Sequence, residues 1–377
     1  MKTRIPFGKT AVPKAPVSPN KGIGALSKAM LLVFWSLFCA QAQENDYEYE
    51  YDRGGGVTIT RYIGAGGAVT IPSTIDGLRV TAITGYRWGG PPLMPYYITI
   101  GAFIAGANVT SLEIPPTVIT ILTHNDDPLH WASGAFEGCT GLTSYNVHTN
   151  NPVYSSFDGV LFNKSQTVLV QYPAEKAGNY DVPESVSYIL DKAFSHCAAL
   201  TRVVVPNGVR TIGRQAFSAC TNLTSVSIAA TVTNVGHEAF GNCSSLAAVV
   251  FKGNPPSVTG WPSWLPPAPA LFSGATNVTV YYLPGSTGWG PTFYGRPTAL
   301  WNLEIETGGP SFGVGANGFG FTITGPRHLM VAVEACTDLP NPVWSPVQTL
   351  TLTNGSCYFS DPKWRSYSTR FYRLRSP

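Results

Sequence analysis

Cysteine is the residue whose spacing in this sequence most invites chemistry. Cys197, Cys220 and Cys243 lie 23 residues apart, and Cys139 shares their context, three residues after the Phe of an Ala-Phe pair. Thiols placed so regularly could bind zinc or cycle between thiol and disulfide. Zinc takes ligands that converge on one point, whereas equivalent positions of a stacked repeat form a line. The spacing therefore reads as a ladder of inward-facing structural thiols that pack as small apolar groups.

The remaining chemical residues are sparse. His124, Asp126, Asp127 and His130 crowd one short stretch with Trp131. They lack a Glu-based zinc motif, so the stretch reads as a polar loop in which Trp131 is a candidate ligand contact. His196 and His237 read as surface residues at non-equivalent positions. Gly309-Pro-Ser-Phe-Gly313 matches Gly-x-Ser-x-Gly only within a Gly/Pro-rich linker, and Gly313-Val-Gly-Ala-Asn-Gly318 lacks the Lys and the strand-loop-helix setting of a phosphate loop. Carboxylate pairs for glycoside hydrolysis converge only in space, and 21 acidic residues spread over turns make no case for them. The expectation is a protein that is not an enzyme, with no metal and no cofactor.

Aromatic residues are the stronger functional candidates. Trp261, Trp264, Trp289, Phe293, Tyr294 and Trp301 fall within 41 residues, and aromatic faces stack on sugar rings or anchor protein partners. Two readings stand side by side. Trp with Pro is good material to cap the end of an array, and the same rings, Trp261, Trp264, Trp289 and Tyr294 with Trp131, could form a binding surface.

The elements that would position these residues come from a repeat. Phe194, Phe217 and Phe240, and likewise Leu200, Leu223 and Leu246, keep the 23-residue step of Cys197, Cys220 and Cys243. Several residue types locked to one period mark a solenoid, because a unit this small buries its apolar side chains only against its neighbours. These nine residues are the expected repeat core. The frame extends back through Ala135-Phe136 and Ala102-Phe103, with an insertion around 123–132 and a second at 147–181. In the second, Asp158-Gly159 between two β-rich runs signals a hairpin. In the strand Val203-Val-Val205 the outward candidates are Arg202 and Val204, and in the next coil Ser225 and Ser227.

Composition agrees with short strands and many turns. Only 12% of residues are charged, against 39 Gly and 31 Pro. The formal charge of +3 misleads, since the first 42 residues hold six basic side chains and no acid. Without them 18 basic residues face 21 acidic ones, a net charge of −3, and nucleic acid loses its electrostatic support. Those 42 residues read as a signal peptide: a basic leader, the apolar run from Ala29 to Phe38, and Ala40-Gln41-Ala42 as a cleavage site. The apolar run is too short to span a bilayer, and no transmembrane segment is expected in the mature chain. Cleavage near Ala42 would leave the protein secreted or at the cell surface.

The expected domains are residues 1–42 as signal peptide, 43–306 as a solenoid with caps at both ends, and 307–377 as a small β-sandwich-like domain of short strands. Cys336 and Cys357 lie on two of those strands, and export favours oxidation, so a disulfide between them is expected. The fold class is mostly β with few helices.

The pattern Ala193-Phe194, Cys197, Leu200, Val203-Val-Val-Pro206, Val209 and Ile212-Gly213, renewed at the same offsets, resembles the BspA-type leucine-rich repeat of exported bacterial proteins. The insert from Asn151 to Lys164 is similar to an embellishment recurrent in that family, and the resemblance covers roughly residues 57 to 305. It implies a curved solenoid and a role in adhesion or surface binding, and it supplies no catalytic motif. The C-terminal residues look like the immunoglobulin-like modules that close many exported bacterial repeat proteins. The functional expectation is a binding or adhesion module for protein or glycan at a surface, its oligomeric state open. The alternatives are a structural cell-envelope component and, further off, a glycan-degrading enzyme using the inserted loops.

Overall fold

A strand of four residues has too few partners to stay folded alone, so the chain answers each one with another. In the computed structural model, which describes residues 44–84, 86–89, 97–103, 108–121, 134–259, 271–327 and 329–375, the strands Leu200–Val205, Ser225–Ile228 and Ala248–Phe251 run parallel. Their register joins Arg202 to Ser225 and Ser225 to Ala248, so each hydrogen-bonded partner lies 23 residues on. Gly178–Asp181 precedes them, and Thr279–Tyr282 and Arg296–Leu300 follow. Thr292–Phe293 closes this seven-stranded sheet, here called the wide sheet.

A second, narrow sheet takes the other side of each coil. Tyr188–Ile189, Thr211–Ile212, Asn234–Gly236 and Ser257–Thr259 pair in parallel with the same step. Its first strands are the hairpin Tyr154–Phe157 and Val160–Asn163, followed by Val168–Gln171. Asp158 and Gly159 at the hairpin turn both have positive φ. Between the sheets lie Val203, Val205, Val226, Ile228, Val249 and Phe251 from one side and Ile189, Ile212 and Val235 from the other, all in one apolar cluster.

The turns that join the sheets form a third column. Phe194, Phe217, Phe240 and Phe272 stack ring on ring, with centroids 4.8, 5.4 and 5.6 Å apart and planes within 19°. Beside the rings run the thiols. The Sγ of Cys220 donates to the carbonyl of Phe194 at 2.9 Å, and that of Cys243 donates to the carbonyl of Phe217 at 3.0 Å. Each thiol thus adds a second donor to a carbonyl of the preceding coil that already accepts from a backbone N–H of its own turn, Cys197 N–H on Phe194 and Cys220 N–H on Phe217. Burial pushes the Cys139 thiol up to about 12 and the Cys220 thiol well above the ordinary range; hydrogen bonding to Cys220 and burial do the same for Cys243. These side chains stay protonated and unreactive.

One departure from the sequence reading lies in the turns of the narrow sheet. His237, expected at the surface and out of phase, is buried and stands one coil on from Arg214, which stands one coil on from Asp191. The backbone N–H of Arg214 donates to Asp191 Oδ1 at 2.8 Å and its Nε to Oδ2 at 2.6 Å. The phase was hidden because the column changes residue type at every step. The coils come so close here that a Cβ on Gly213 or Gly236 would lie under 3.0 Å from the backbone of Asp191 or Arg214, which explains the Ile-Gly and Val-Gly turns.

Before these coils, Gly67–Thr70, Val109–Ile114 and Ser144–Val147 form a three-stranded parallel sheet. Tyr47–Tyr51, antiparallel to Val57–Tyr62, lies at the edge of a neighbouring sheet that continues through Leu78–Ile83. Their apolar cluster includes Phe103, Phe136, Leu142 and Tyr145. After residue 303, a sheet built on Gly318–Thr324 and Ser356–Asp361 and another of Leu329–Cys336, Ser345–Leu352 and Phe371–Arg375 share a cluster of Phe321, Ile323, Val331, Val333, Leu352 and Phe359. Helix among the described residues is confined to short 3₁₀ turns such as Trp364–Ser366, and no described helix is long and apolar enough to cross a membrane.

The expected disulfide is absent: Cys336 and Cys357 are both free thiols. Strand alternation gives the reason. Val331 and Val333 enter the shared cluster, so Cys336, an odd number of residues further on, points to the opposite face, whereas Cys357 packs against the cluster.

Phe217→Ala removes the middle of the ring column and is expected to cost about 3–5 kcal/mol in equilibrium urea denaturation. Phe157→Ala, at the exposed hairpin tip, is expected to change stability by less than about 0.5 kcal/mol.

Candidate binding surface

The sheet face turned away from a core is where a stacked array can present side chains without disturbing its packing. On the wide sheet this outward face consists of two rows fixed by the register. One runs Asn179, Arg202, Ser225, Ala248 and Thr279; the other runs Asp181, Val204, Ser227, Val250, Tyr281 and Ala299.

The rows change character along the stack. At their start Asn179 and Asp181 are exposed, and Arg202 pairs with Asp181 at 3.1 Å. Asp181 is the solvated half of this pair, whereas the Arg202 side chain is only 13% exposed. Towards their end the rows are apolar and covered. Ala248, Val250 and Tyr281 join Trp301 and Leu329 in a separate apolar cluster, so the chain beyond the last coil lies on this face. Ser225 and Ser227, read from sequence as outward and available, are 7% and 9% exposed. They face outward by register, yet little of either is exposed.

The preceding three-stranded sheet offers a similar polar strip. Thr70, Glu113 and Asn146 are aligned across it, and the Thr70 hydroxyl donates to Glu113 Oε2 at 2.9 Å. They line a groove of about 530 Å³ with Pro115 and His148.

The aromatic candidates divide. Trp289 stacks on Tyr282 with ring centroids 5.4 Å apart and an interplanar angle of 6°, and it touches Phe251 and Phe293. Its Nε1 donates to the Gly253 carbonyl at 3.0 Å, so both its face and its polar tip are engaged at the end of the array. Tyr294 is 46% exposed. Trp131, Trp261 and Trp264 lie outside the described residues, as do His124, Asp126, Asp127 and His130. The nine repeat-core residues, Phe194, Cys197, Leu200 and their counterparts in the next two coils, are all fully buried.

Among the described residues no group of three or more His, Cys, Asp or Glu side chains could hold a metal ion. The sequence reading missed Val250, Tyr281, Trp301 and Leu329 as one cluster. A signal was present: Ala248-Val-Val-Phe251 is apolar at every position, the pattern of a strand buried on both faces.

Comparison with known proteins places the repeat. Residues 172–260 match the family model "BspA type Leucine rich repeat region" in six copies. No curated protein matches the chain. Among solved structures, the chain is similar to a leucine-rich repeat protein from Eubacterium ventriosum at 20% identity, covering 63% of this chain and 76% of that one, with a TM-score of 0.42. A leucine rich repeat protein of T. pallidum is 22% identical over 64% of this chain and 86% of its own, with a TM-score of 0.30. A leucine rich cell surface protein from Faecalibacterium prausnitzii is 16% identical over 65% and 95%, with a TM-score of 0.30.

If Trp301 and Leu329 hold the later chain against the wide sheet, Val250→Asp places a charge in a dry contact. Limited trypsin digestion is then expected to cut between residues 300 and 330 several times faster than in the wild type, with the coils before residue 250 equally resistant in both.

Proposed function

We propose, from the leucine-rich repeats of residues 172–260, which are related to the BspA type, that the chain is an exported binding or adhesion module for a protein or glycan partner at a cell surface. Residues 1–42 serve as its signal peptide, cleaved near Ala42. Residues 43–306 form a solenoid of 23-residue units with a cap at each end, and 307–377 a small β-sandwich-like module. Leucine-rich repeats are structural and binding elements rather than catalysts, and the residues that carry the repeat here are consumed by packing.

The observation that carries this reading is the polar start of the outward face. Asn179, Asp181 and Arg202 sit on a rigid sheet, project from it and take no part in the apolar core. Rigid strands lower the ordering cost of binding, and a surface of alternating amide, acid and guanidinium groups suits hydrogen-bonding partners such as saccharides or polar protein loops. Trp131, Trp261, Trp264 and Tyr294 remain candidates for additional contact.

The test is a panel of surface glycans and surface proteins probed with the protein beginning at Gln43. Binding to at least one class is expected, weakened at least tenfold by the double substitution Asp181→Ala and Arg202→Ala with the melting temperature changed by no more than a few degrees. No binding to any member of the panel would favour a purely structural role in the cell envelope.

A further inference from the structure

A sheet that ends on an open strand presents a row of unpaired backbone N–H and C=O groups, and folded proteins commonly blunt such edges with Pro or by keeping them short. Two edges of this protein lack both devices. Tyr47–Tyr51 pairs on one side only, with Val57–Tyr62, and Phe371–Arg375 pairs on one side only, with Leu329–Cys336. Each is five residues long and contains no Pro. Among the described residues no further backbone–backbone hydrogen bond reaches either strand. The edge strand Ser345–Leu352, by contrast, carries Pro346, and Thr292–Phe293 is two residues long.

Their side chains alternate in a matching way. Tyr47 belongs to the apolar cluster of its sheet and Tyr49 packs against it, so Glu48 and Glu50 project from the opposite face. The irregularity in this pairing falls at Thr60 of the neighbouring strand and leaves that alternation intact. Tyr372 and Leu374 pack against the apolar cluster of the later sheets, so Arg373 and Arg375 project from the outer face. The charged side chains of the first strand are thus all carboxylates, and those of the second all guanidinium groups. Their surroundings carry the same signs. Residues 44–84 hold six acidic and three basic side chains, net −3, and residues 303–375 hold five acidic and six basic ones, net +1.

Some of these charges already have partners, and the count decides what is left. Glu48 pairs with Arg61 at 3.6 Å, both about half exposed, and Glu50 makes no ion pair among the described residues. Arg373 and Arg375 share one carboxylate, Glu334, at 2.6 and 3.2 Å, and their side chains remain 44% and 60% exposed. Two carboxylates with one cation therefore match two cations with one carboxylate. A guanidinium group has several N–H donors, so an arriving carboxylate binds without displacing Glu334. Leu374 and Arg375 also border an open cleft, which gives an added strand room at that end.

We propose that these two edges bind each other between copies of the chain: the Tyr47–Tyr51 strand of one copy adds to the Phe371–Arg375 strand of the next, a heterologous contact that joins copies head to tail. Within one copy the two strands belong to different sheets and do not pair. When the apolar faces lie on the same side, the two-residue period puts Glu48 and Glu50 on the face of Arg373 and Arg375, whether the strands run parallel or antiparallel. Cross-strand pairs of opposite charge stabilise a sheet, and like charges directly opposite destabilise it. A symmetric contact between two acidic strands is disfavoured for that reason. Each added copy brings a new open edge, so the contact extends an assembly and multiplies whatever binding face the copies carry.

The test is sedimentation velocity on the protein from Gln43 at concentrations reaching about 0.5 mM. Mass is expected to rise with concentration, and association to weaken several-fold between about 0.05 M and about 0.5 M salt. Glu48→Arg with Glu50→Arg, and separately Arg375→Glu, which leaves Arg373 on Glu334, are each expected to weaken association at least tenfold. Each variant keeps one intact edge, so mixing the two is expected to give a one-to-one complex at the wild-type affinity. That recovery shows that both variants fold, and the melting temperature of each is read alongside. Hydrogen exchange in the wild-type assembly is expected to slow in residues 47–51 and 371–375, a readout that needs no variant. The proposal is overturned by a wild type that stays monomeric at the highest concentration, by association indifferent to either variant, by folded variants that form no complex on mixing, or by exchange protection confined to other segments.

Discussion

The middle of this protein depends on strands that pair 23 residues apart, from Leu200–Val205 through Ala248–Phe251, with other steps on either side. A single short coil has too little interior to hold itself together, and in these coils many inward groups pack against the group at the same position one coil away. Strand pairs with strand at that step on both sheets, Phe217 lies between the rings of Phe194 and Phe240, and the Cys220 thiol takes the carbonyl of Phe194. The consequence is a division of labour. Residues in phase with the repeat are committed to packing, and variation is tolerated only where side chains leave the stack.

The outward face of the wide sheet is shaped by the need to end the stack. Its first strands carry polar side chains and remain solvated, whereas its later strands carry Ala248, Val250 and Tyr281, which water would not tolerate as a contiguous patch. Trp301 and Leu329 cover them. The face is therefore divided between an open polar part and a sealed apolar part. The boundary between the two is an open cleft walled by Lys252, Trp301 and Arg375.

The legibility of the sequence has the same physical origin. The array was readable because Phe, Cys and Leu recur in phase, and periodicity is the signal that local reasoning handles best. The hairpin at Asp158-Gly159 was readable because two positive-φ residues between β-rich runs admit few alternatives. Three other features were not. His237 succeeds Arg214 and Asp191 in a column, but a column of acid, guanidinium and imidazole has no residue type to repeat. The pairing of Cys336 with Cys357 was inferred from compartment and spacing, while strand parity, which turns the two side chains to different faces, appears only once the sheets are known. The cover over Ala248 and Val250 by Trp301 and Leu329 joins residues more than 50 positions apart, and no local pattern in that strand names its partner.

The central claim is that one face of one sheet is open at its start and sealed further along. Single cysteines placed on that face at Asn179 and at Ser227, each with Cys357→Ser in the protein from Gln43, test it directly, since the native repeat thiols are buried and Cys357 is the partly exposed one among the described residues. The account predicts that the thiol of Asn179→Cys reacts with maleimide at close to the rate of a free thiol, and that of Ser227→Cys at least a hundredfold more slowly. Equal, rapid labelling at both positions would contradict it.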